Sequence, residues 1–215
     1  VRDEGMNICW NCRRNFEIIV HPFCDICGDP VDGEVDGRFL CHACAERMPE
    51  FDRARSAVRY TRVARTTIHA LKYYGMIHLA RDFACLMEAC VRTHFDGTNF
   101  DLVTYVPMHM LREMFRGYNQ AELLARRLAK LLGGKPVSDC LTRKVRTRKQ
   151  AGLNARDRRR NVEGSFNVNR PEWIDGRRIL LVDDVMTTGA TVNECATALK
   201  EGGAAQVFVV TAARG

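Results

Sequence analysis

The sequence predicts an α/β fold, a parallel sheet with helices on its faces, preceded by a small cysteine-rich metal module. Three observations predict it. From residue 53 onward, short apolar runs alternate with segments of helical periodicity, the pattern of strands joined by crossover helices. One apolar run, Ile179-Leu180-Leu181-Val182, ends in Asp183-Asp184 and passes through a threonine- and glycine-containing turn into a new helical pattern. Six of the ten cysteines fall in three C-x-x-C pairs within the first 44 residues.

In chain order, residues 1–52 form the cysteine-rich module. Cys24-x-x-Cys27 and Cys41-x-x-Cys44 are separated by thirteen residues. Each pair makes a tight knuckle that aims two thiolates at one point, and two knuckles complete a tetrahedral Zn²⁺ site, a structural zinc ribbon. So small a module has too little core to fold alone, so metal binding supplies its folding energy. Cys9-Trp-Asn-Cys12 has three readings. It is half of a first ribbon whose other knuckle precedes residue 1, or it shares a site with Cys24 and Cys27, or it is a redox pair.

The main domain, 53–215, begins with a strand at 56–61. Helices follow at 65–74, stopped by Gly75, and at 77–94, with Ile77, Ala80, Phe83, Met87, Cys90 and Val91 on one face. Leu102–Val106 reads as a buried strand ended by Pro107. Helix 119–132 turns Ala121, Leu124, Leu128 and Leu131 inward and stops at Gly133-Gly134. The connection from 133 to 178 has no strong core pattern. Strand 179–182, helix 190–201 and strand 207–210 complete the domain.

Composition narrows the function classes. The 215 residues suit one α/β domain with an appendage, and 46% hydrophobic content supports a core. A formal charge of +7 suits a polyanionic ligand or a nucleic acid. No run of 18 apolar residues occurs, so membrane insertion is not expected. The first residues lack a signal-peptide core and an initiator Met, which suggests a truncated or processed start. Paired cysteines at metal-ligand spacing point to a reducing, cytoplasmic compartment rather than a disulfide framework.

The loop after strand 179–182 carries the chemistry. A helix N-terminus presents backbone N–H groups that lack intrahelical partners and can bind phosphate. Thr187, Thr188 and Thr191 add hydroxyls, and Gly189 permits close approach or positive φ. Asp183 and Asp184 suit sugar hydroxyls or a Mg²⁺-bound ligand. The ligand implied is a phosphorylated sugar; neither a Walker A ending nor a G-x-G-x-x-G fingerprint is present. After strand 102–106, Pro107, Arg112, Arg116 and Gly117 lead into the next helix. Arg112 and Arg116 are four apart and share a helical face, which suits pyrophosphate. Residues 143–160 hold nine Lys or Arg and one acid. They read as a basic lid over polyphosphate, or as a contact to a nucleic-acid backbone.

The segment from Val182 through Asp183, Asp184, Thr187, Thr188, Gly189, Ala190 and Thr191 resembles the 5-phosphoribosyl-1-pyrophosphate (PRPP) loop of type I phosphoribosyltransferases. By that resemblance Asp183 and Asp184 contact the ribose hydroxyls and are the catalytic pair, and Thr187–Thr191 holds the 5′-phosphate. The resemblance extends to Phe-Asp-Arg-Ala-Arg (51–55), Ile-His-Ala-Leu-Lys-Tyr (68–73), Arg-Gly-Tyr-Asn-Gln-Ala-Glu (116–122), Thr-x-x-Gln (147–150) and Arg-Arg-Asn-Val-x-Gly-x-Phe (159–166). This series is similar to the ComF family, in which a double zinc ribbon precedes a phosphoribosyltransferase-like domain. The resemblance implies a type I phosphoribosyltransferase-like sheet, PRPP with Mg²⁺, and a link to DNA uptake in competence. Its implied partners are single-stranded DNA and competence or DNA-processing proteins. Lys72 is a further candidate for pyrophosphate, and Arg148, Gln150, Arg158, Arg159 and Arg160 for the lid. The chain departs from the family in its incomplete first ribbon, which leaves Cys24, Cys27, Cys41 and Cys44 as the secure ligand set. The zinc module could stand where related enzymes carry the hood that reads the acceptor. Two other functions fit the sequence: a single-stranded nucleic-acid-binding accessory protein with PRPP regulatory or vestigial, and a protein-interaction adaptor.

Overall fold

The computed structural model describes residues 6–143 and 164–215. The main domain is a five-stranded, fully parallel sheet in the order β1-β7-β6-β2-β3. Its strands are β1 (Arg53–Arg59), β2 (Leu102–Tyr105), β3 (Val137–Ser138), β6 (Arg178–Met186) and β7 (Gln206–Arg214). A separate antiparallel pair joins β4 (Leu141–Arg143) to β5 (Phe166–Val168). The helices are α1 (Trp10–Arg14), α2 (His42–Glu46), α3 (Arg62–Tyr73), α4 (Leu79–His94), α5 (Met110–Arg116), α6 (Gln120–Leu131) and α7 (Ala190–Glu201). Among the described residues, no helix is long and apolar enough to cross a membrane.

The alternation of side chains along β6 divides the core. Leu180 and Val182 face α3, α4 and α6, whose Ile68, Leu71, Phe83, Met87, Leu124 and Leu128 fill one layer. Ile179 and Leu181 face α7 and the β4–β5 pair, with Val192, Cys195, Leu199 and Phe166 in the other. A strand buried on both faces reads as a continuous apolar run, and that is why residues 179–182 are all apolar.

The first 52 residues enter both layers. Ile8 and Phe16 pack with the α3–α4–α6 layer, and the Phe16 and Phe83 rings lie 5.9 Å apart. Cys24, Cys27, Cys44 and Phe51 pack with the α7 layer. Between these two anchors, the segment runs along the outer edge of β1. Ile19 N–H donates to the Ala57 carbonyl (3.2 Å), Arg59 N–H to the Glu17 carbonyl (2.8 Å) and Ala54 N–H to the Ile26 carbonyl (2.7 Å). Ile18 and Val58 form an antiparallel bridge. Gly28 sits at φ +67, and a Cβ there would stand 2.7 Å from the Ala54 carbonyl oxygen. Only glycine lets the knuckle approach β1 this closely.

Helix α7 spans the expected 190–201, and the other helices end within three residues of expectation. Two strands are longer than the sequence suggests. β6 runs on through Asp183 and Asp184 to Met186, because β7 continues beside it and pairs Asp183 with Thr211, Val185 with Ala213 and Met186 with Arg214. The acids therefore sit inside the strand. β7 extends to Arg214 for the same reason, with β1 on its other side. The expected featureless connection contains β3, β4 and β5, strands of two or three residues, too short to show periodicity.

Phe83 is fully buried and touches the N-terminal segment through Phe16. Phe83→Ala should cost about 3–5 kcal/mol of unfolding free energy, measured as a fall in the urea midpoint.

Candidate functional site

The carboxyl ends of β2 and β6 open into a cavity of about 440 Å³. Parallel sheets place ligands there because crossover loops diverge at the strand ends. Tyr60, Lys72, Tyr73, Pro107, Arg112, Arg116, Asn119, Arg143, Asp183, Asp184, Thr187 and Thr191 all reach it. The acid pair, the arginine helix and the threonine loop are thus brought together on one cavity.

Neighbouring residues on a strand point to opposite faces, so the two carboxylates have different surroundings. Asp184 faces α3 and pairs with Lys72 at 2.9 Å; both side chains are largely buried. Burial pulls the Lys72 ammonium down, but the Asp184 carboxylate outweighs it and leaves its pKa raised. Lys72 is therefore a charged component of the site rather than a surface lysine. Asp183 faces the Arg143 and Cys195 side. Its Oδ1 accepts a hydrogen bond from the Asp184 N–H at 2.8 Å. Burial and the neighbouring Asp184 charge push its carboxyl up to about 8, against the opposing pull of Lys72 and Arg143.

The loop after β6 has the geometry of an anion cradle. Gly189 is the N-cap of α7 at φ 75, where a Cβ would stand 2.9 Å from Met186 Cε. Thr188 Oγ1 accepts from the Ala190 N–H at 3.4 Å. Thr187 and Thr191 line the cavity on either side of the helix start, and the positive end of the α7 dipole points there. Val182 is buried one step behind the acids, and its carbonyl accepts the Val106 N–H at 3.0 Å.

Opposite the threonine loop, α5 carries Arg112 and Arg116 into the same cavity, with Pro107 beside them. Gly117 closes α5 as its C-cap, donating its N–H to the Glu113 carbonyl at 2.7 Å. Arg116 is oriented by Gln120 Oε1 at 2.5 Å and by stacking over the Tyr73 ring at 5.0 Å. Asn119 fixes this wall. Its side chain caps α6 at the Ala121 N–H (2.9 Å) and donates to the Val106 carbonyl (3.1 Å). The Tyr118 hydroxyl donates to the Leu71 carbonyl, tying the α5–α6 turn to α3 beside Lys72.

Tyr60, Tyr73, Asn119 and Arg143 are lining residues that sequence reasoning did not single out. Arg143 was legible only as the first residue of a basic run. β4 places it in the cavity wall, stacked 5.2 Å from the Phe166 ring. The lid candidates Arg148, Gln150, Arg158, Arg159 and Arg160 lie outside the described residues.

The second constellation is the cysteine cluster. The sulfurs of Cys24, Cys27, Cys41 and Cys44 all lie within 4.8 Å of one another, and those of Cys27 and Cys41 are 3.6 Å apart. Four sulfurs ~2.3 Å from a tetrahedral zinc would be ~3.7 Å apart, so the cluster fits a structural Zn²⁺. Burial pushes the Cys27 thiol up to about 12 and the Cys44 thiol higher still, so thiolates there need a cation. Arg55, buried on β1, stacks 4.5 Å from the Phe23 ring and has no ion pair among the described residues. It lies within electrostatic reach of Cys24.

Cys9 and Cys12 stand apart from this cluster, which overturns the option that they pair with Cys24 and Cys27. Their conformation matches that of the Cys41 knuckle. Cys9 caps a five-residue helix at φ −61, ψ 153, and Cys41 caps another at φ −66, ψ 158. The pair thus has the shape of one ribbon knuckle.

Comparison with known proteins agrees with this geometry. Residues 116–215 match the phosphoribosyl transferase domain. The chain is 32% identical over 216 residues to DNA utilization protein YhgH of Salmonella typhimurium, covering 94% of each. It is 30% identical over 212 residues to Competence protein F of Haemophilus influenzae, covering 96% of this chain and 90% of that one. Competence protein ComFC of Bacillus subtilis is 28% identical over 206 residues, covering 92% and 80%.

If the four clustered cysteines are the complete ligand set, purified protein should release one zinc per chain on thiol modification. Cys24→Ser should carry none and Cys9→Ser should carry as much as the wild type, read by a colorimetric chelator.

Proposed function

The chain belongs to the ComF family, and from that premise we propose that it is a cytoplasmic PRPP-binding protein of phosphoribosyltransferase type that serves DNA uptake or utilization. One observation carries the reading: two acids, a threonine cradle at a helix N-terminus and two arginines meet on a single cavity. A phosphorylated ribose with a pyrophosphate at C1 needs those three groups in that order. Thr187, Thr188, Thr191 and the α7 amides hold the 5′-phosphate. Asp183 and Asp184 take the ribose hydroxyls. Arg112, Arg116 and the Pro107–Gly117 segment take the pyrophosphate. Mg²⁺, held between the acids and the ligand, would screen the pyrophosphate charge.

The residues stabilise charge rather than attack. As pyrophosphate leaves C1, the ribose gains oxocarbenium character while negative charge collects on the leaving group. Arg112 and Arg116 stabilise that negative charge, and the acid pair keeps the ribose in place. Lys72 holds Asp184 oriented. Asp183 and Asp184 are the residues that would hold Mg²⁺, and Lys72, paired with Asp184, would stand beside it as a further cation for the pyrophosphate.

A second reading, a site for single-stranded nucleic acid, is favoured by the cavity rim. Tyr73, Tyr74 and Phe115 are 63%, 75% and 92% exposed, and Arg116 already stacks on Tyr73. Exposed aromatics beside arginines suit base stacking along a phosphate backbone.

Calorimetric titration of zinc-loaded protein with Mg·PRPP tests the first reading. Saturable binding lost in Asp184→Asn supports it; a folded wild type that gives no heat overturns it. Salt-sensitive DNA binding that survives Asp184→Asn and weakens in Tyr73→Ala would assign the rim to nucleic acid.

The state of Asp183 gives a pH prediction. Its pKa near 8 lies above the unfolded value, so its contribution to stability is full in acid and lost as pH rises through about 8. A ligand that binds the carboxylate must expel that proton. PRPP affinity should therefore rise from pH 6 to 8, and the binding heat should vary with buffer ionisation enthalpy. Asp183→Asn should abolish that variation. Lys72→Met, which leaves Asp184 buried without its cation, should destabilise the fold by about 3–5 kcal/mol, seen by urea titration.

A further inference from the structure

We propose that Arg214 is a positioning residue that couples the cysteine cluster to the loop at 187–191, so that the metal module sets the geometry of the anion cradle. This rests on the reading of the cradle as a phosphate site, but the coupling can be measured without any ligand.

The connection runs through named atoms. Asp29, two residues beyond Cys27, donates its backbone N–H to the Cys27 sulfur and its carbonyl accepts the Cys24 N–H at 2.9 Å. The Asp29 side chain leaves the knuckle and meets Arg214 Nη2 at 3.0 Å. Arg214 Nη1 donates to the Met186 carbonyl at 3.1 Å. Met186 is the last residue of β6, directly before Thr187. Two backbone hydrogen bonds of Asp29 (one to a ligand sulfur, one to a ligand's N–H), one ion pair and one side-chain hydrogen bond thus separate the metal ligands from the peptide that opens the cradle.

Arg214 is built into this place. It is 8% exposed and lies opposite Met186 in the β6–β7 register. Its own carbonyl accepts the N–H of Tyr60, another cavity-lining residue, at 2.6 Å. A single residue therefore holds the cradle's entrance with its side chain and a second cavity wall with its backbone. Met186 also belongs to the same core layer as Cys24, Cys27 and Cys44, and its Cε lies against Gly189, the N-cap of α7. Its carbonyl accepts from the Gly215 N–H at 3.0 Å as well as from Arg214.

The charge pattern explains why an arginine is needed. Four thiolates around one Zn²⁺ leave about two negative charges, and the Arg214 cation lies within electrostatic reach of Cys27. Its planar fork can bond a carboxylate and a carbonyl at once, which a lysine's single ammonium does poorly. A buried arginine stripped of Asp29 would keep its charge but lose its fixed orientation.

The test uses zinc-loaded, full-length protein and four variants: Arg214→Met, Arg214→Lys, Asp29→Asn and, as a control, Asp32→Asn. Asp32 forms another ion pair across the same boundary, with Arg59 at 3.0 Å; Arg59 lies opposite Arg214 in the β1–β7 register, but Asp32 is exposed and, among the described residues, neither residue bonds to Met186. Hydrogen exchange at 187–191 and Mg·PRPP affinity are read together with zinc content. Arg214→Met should retain one zinc, speed exchange at 187–191 while the α4 amides stay as in wild type, and weaken PRPP about tenfold, as losses of a ligand-orienting partner do. Asp29→Asn should move both readouts the same way by less, Arg214→Lys should recover part of the loss, and Asp32→Asn should change neither. Wild-type exchange at 187–191 in a zinc-loaded Arg214→Met protein overturns the assignment. If that variant does not fold, unchanged exchange in Asp29→Asn overturns it instead. A wild type that fails to bind PRPP would sink the ligand reading alone, because the exchange comparison still decides the coupling.

Discussion

Everything at the cavity depends on β6 staying paired with β7 to its last residue. A parallel strand is held only by its neighbours, and β2 supports β6 as far as Val182 while β7 supports it through Met186. Beyond β2 the inner edge of β6 is open, and that is where the cavity begins. The carboxylates stand at this half-paired stretch, rigid on one side and accessible on the other. A strand that ended at Val182 would leave both acids on a mobile turn. Held in the sheet, they point to fixed and opposite sides.

The cost of placing two acids there is met unequally. Asp184 has a buried lysine, and Asp183 has only a neighbouring N–H and the more distant cations Lys72 and Arg143. Two like charges on adjacent residues raise each other's energy, and the fold resolves this by letting one of them hold a proton readily. The opposite wall is a mirror of the problem: Arg112 and Arg143 oppose each other's charge. Mutually repelling arginines and crowded acids around one cavity suit a ligand that carries both a polyanion and a cation.

The chemistry was legible where it is written on contiguous residues. Asp183, Asp184 and the Thr187–Thr191 turn announce themselves by order alone, and the knuckles of Cys24 and Cys41 by spacing. The alternation of apolar runs and helical patterns gave the layers, since long buried elements carry the periodicity. What failed to show was anything created by tertiary pairing. Lys72 is singled out by resemblance as a pyrophosphate candidate, but its pairing with Asp184 emerges only once α3 is set beside β6. Arg143 is hidden in a run of like residues, and the three-residue strand that removes it from that run has no pattern. Nothing near Arg214 marks it, because its partners Asp29 and Met186 come from the two ends of the chain. The extension of β6 was missed because aspartates are poor strand formers, and β7 overrides that preference.

The N-terminal segment's grip on β1 has a consequence for the protein's solution behaviour. β1 lies at the border of the sheet, and a border strand presents unpaired N–H and C=O groups that can recruit another chain. Here residues 17–19 and 26 occupy those groups, and the knuckle next to them carries two of the four clustered cysteines. A metal bound there would thus also guard against self-association. Chains lacking it would expose a ready template for intermolecular pairing, and the hazard they face is aggregation.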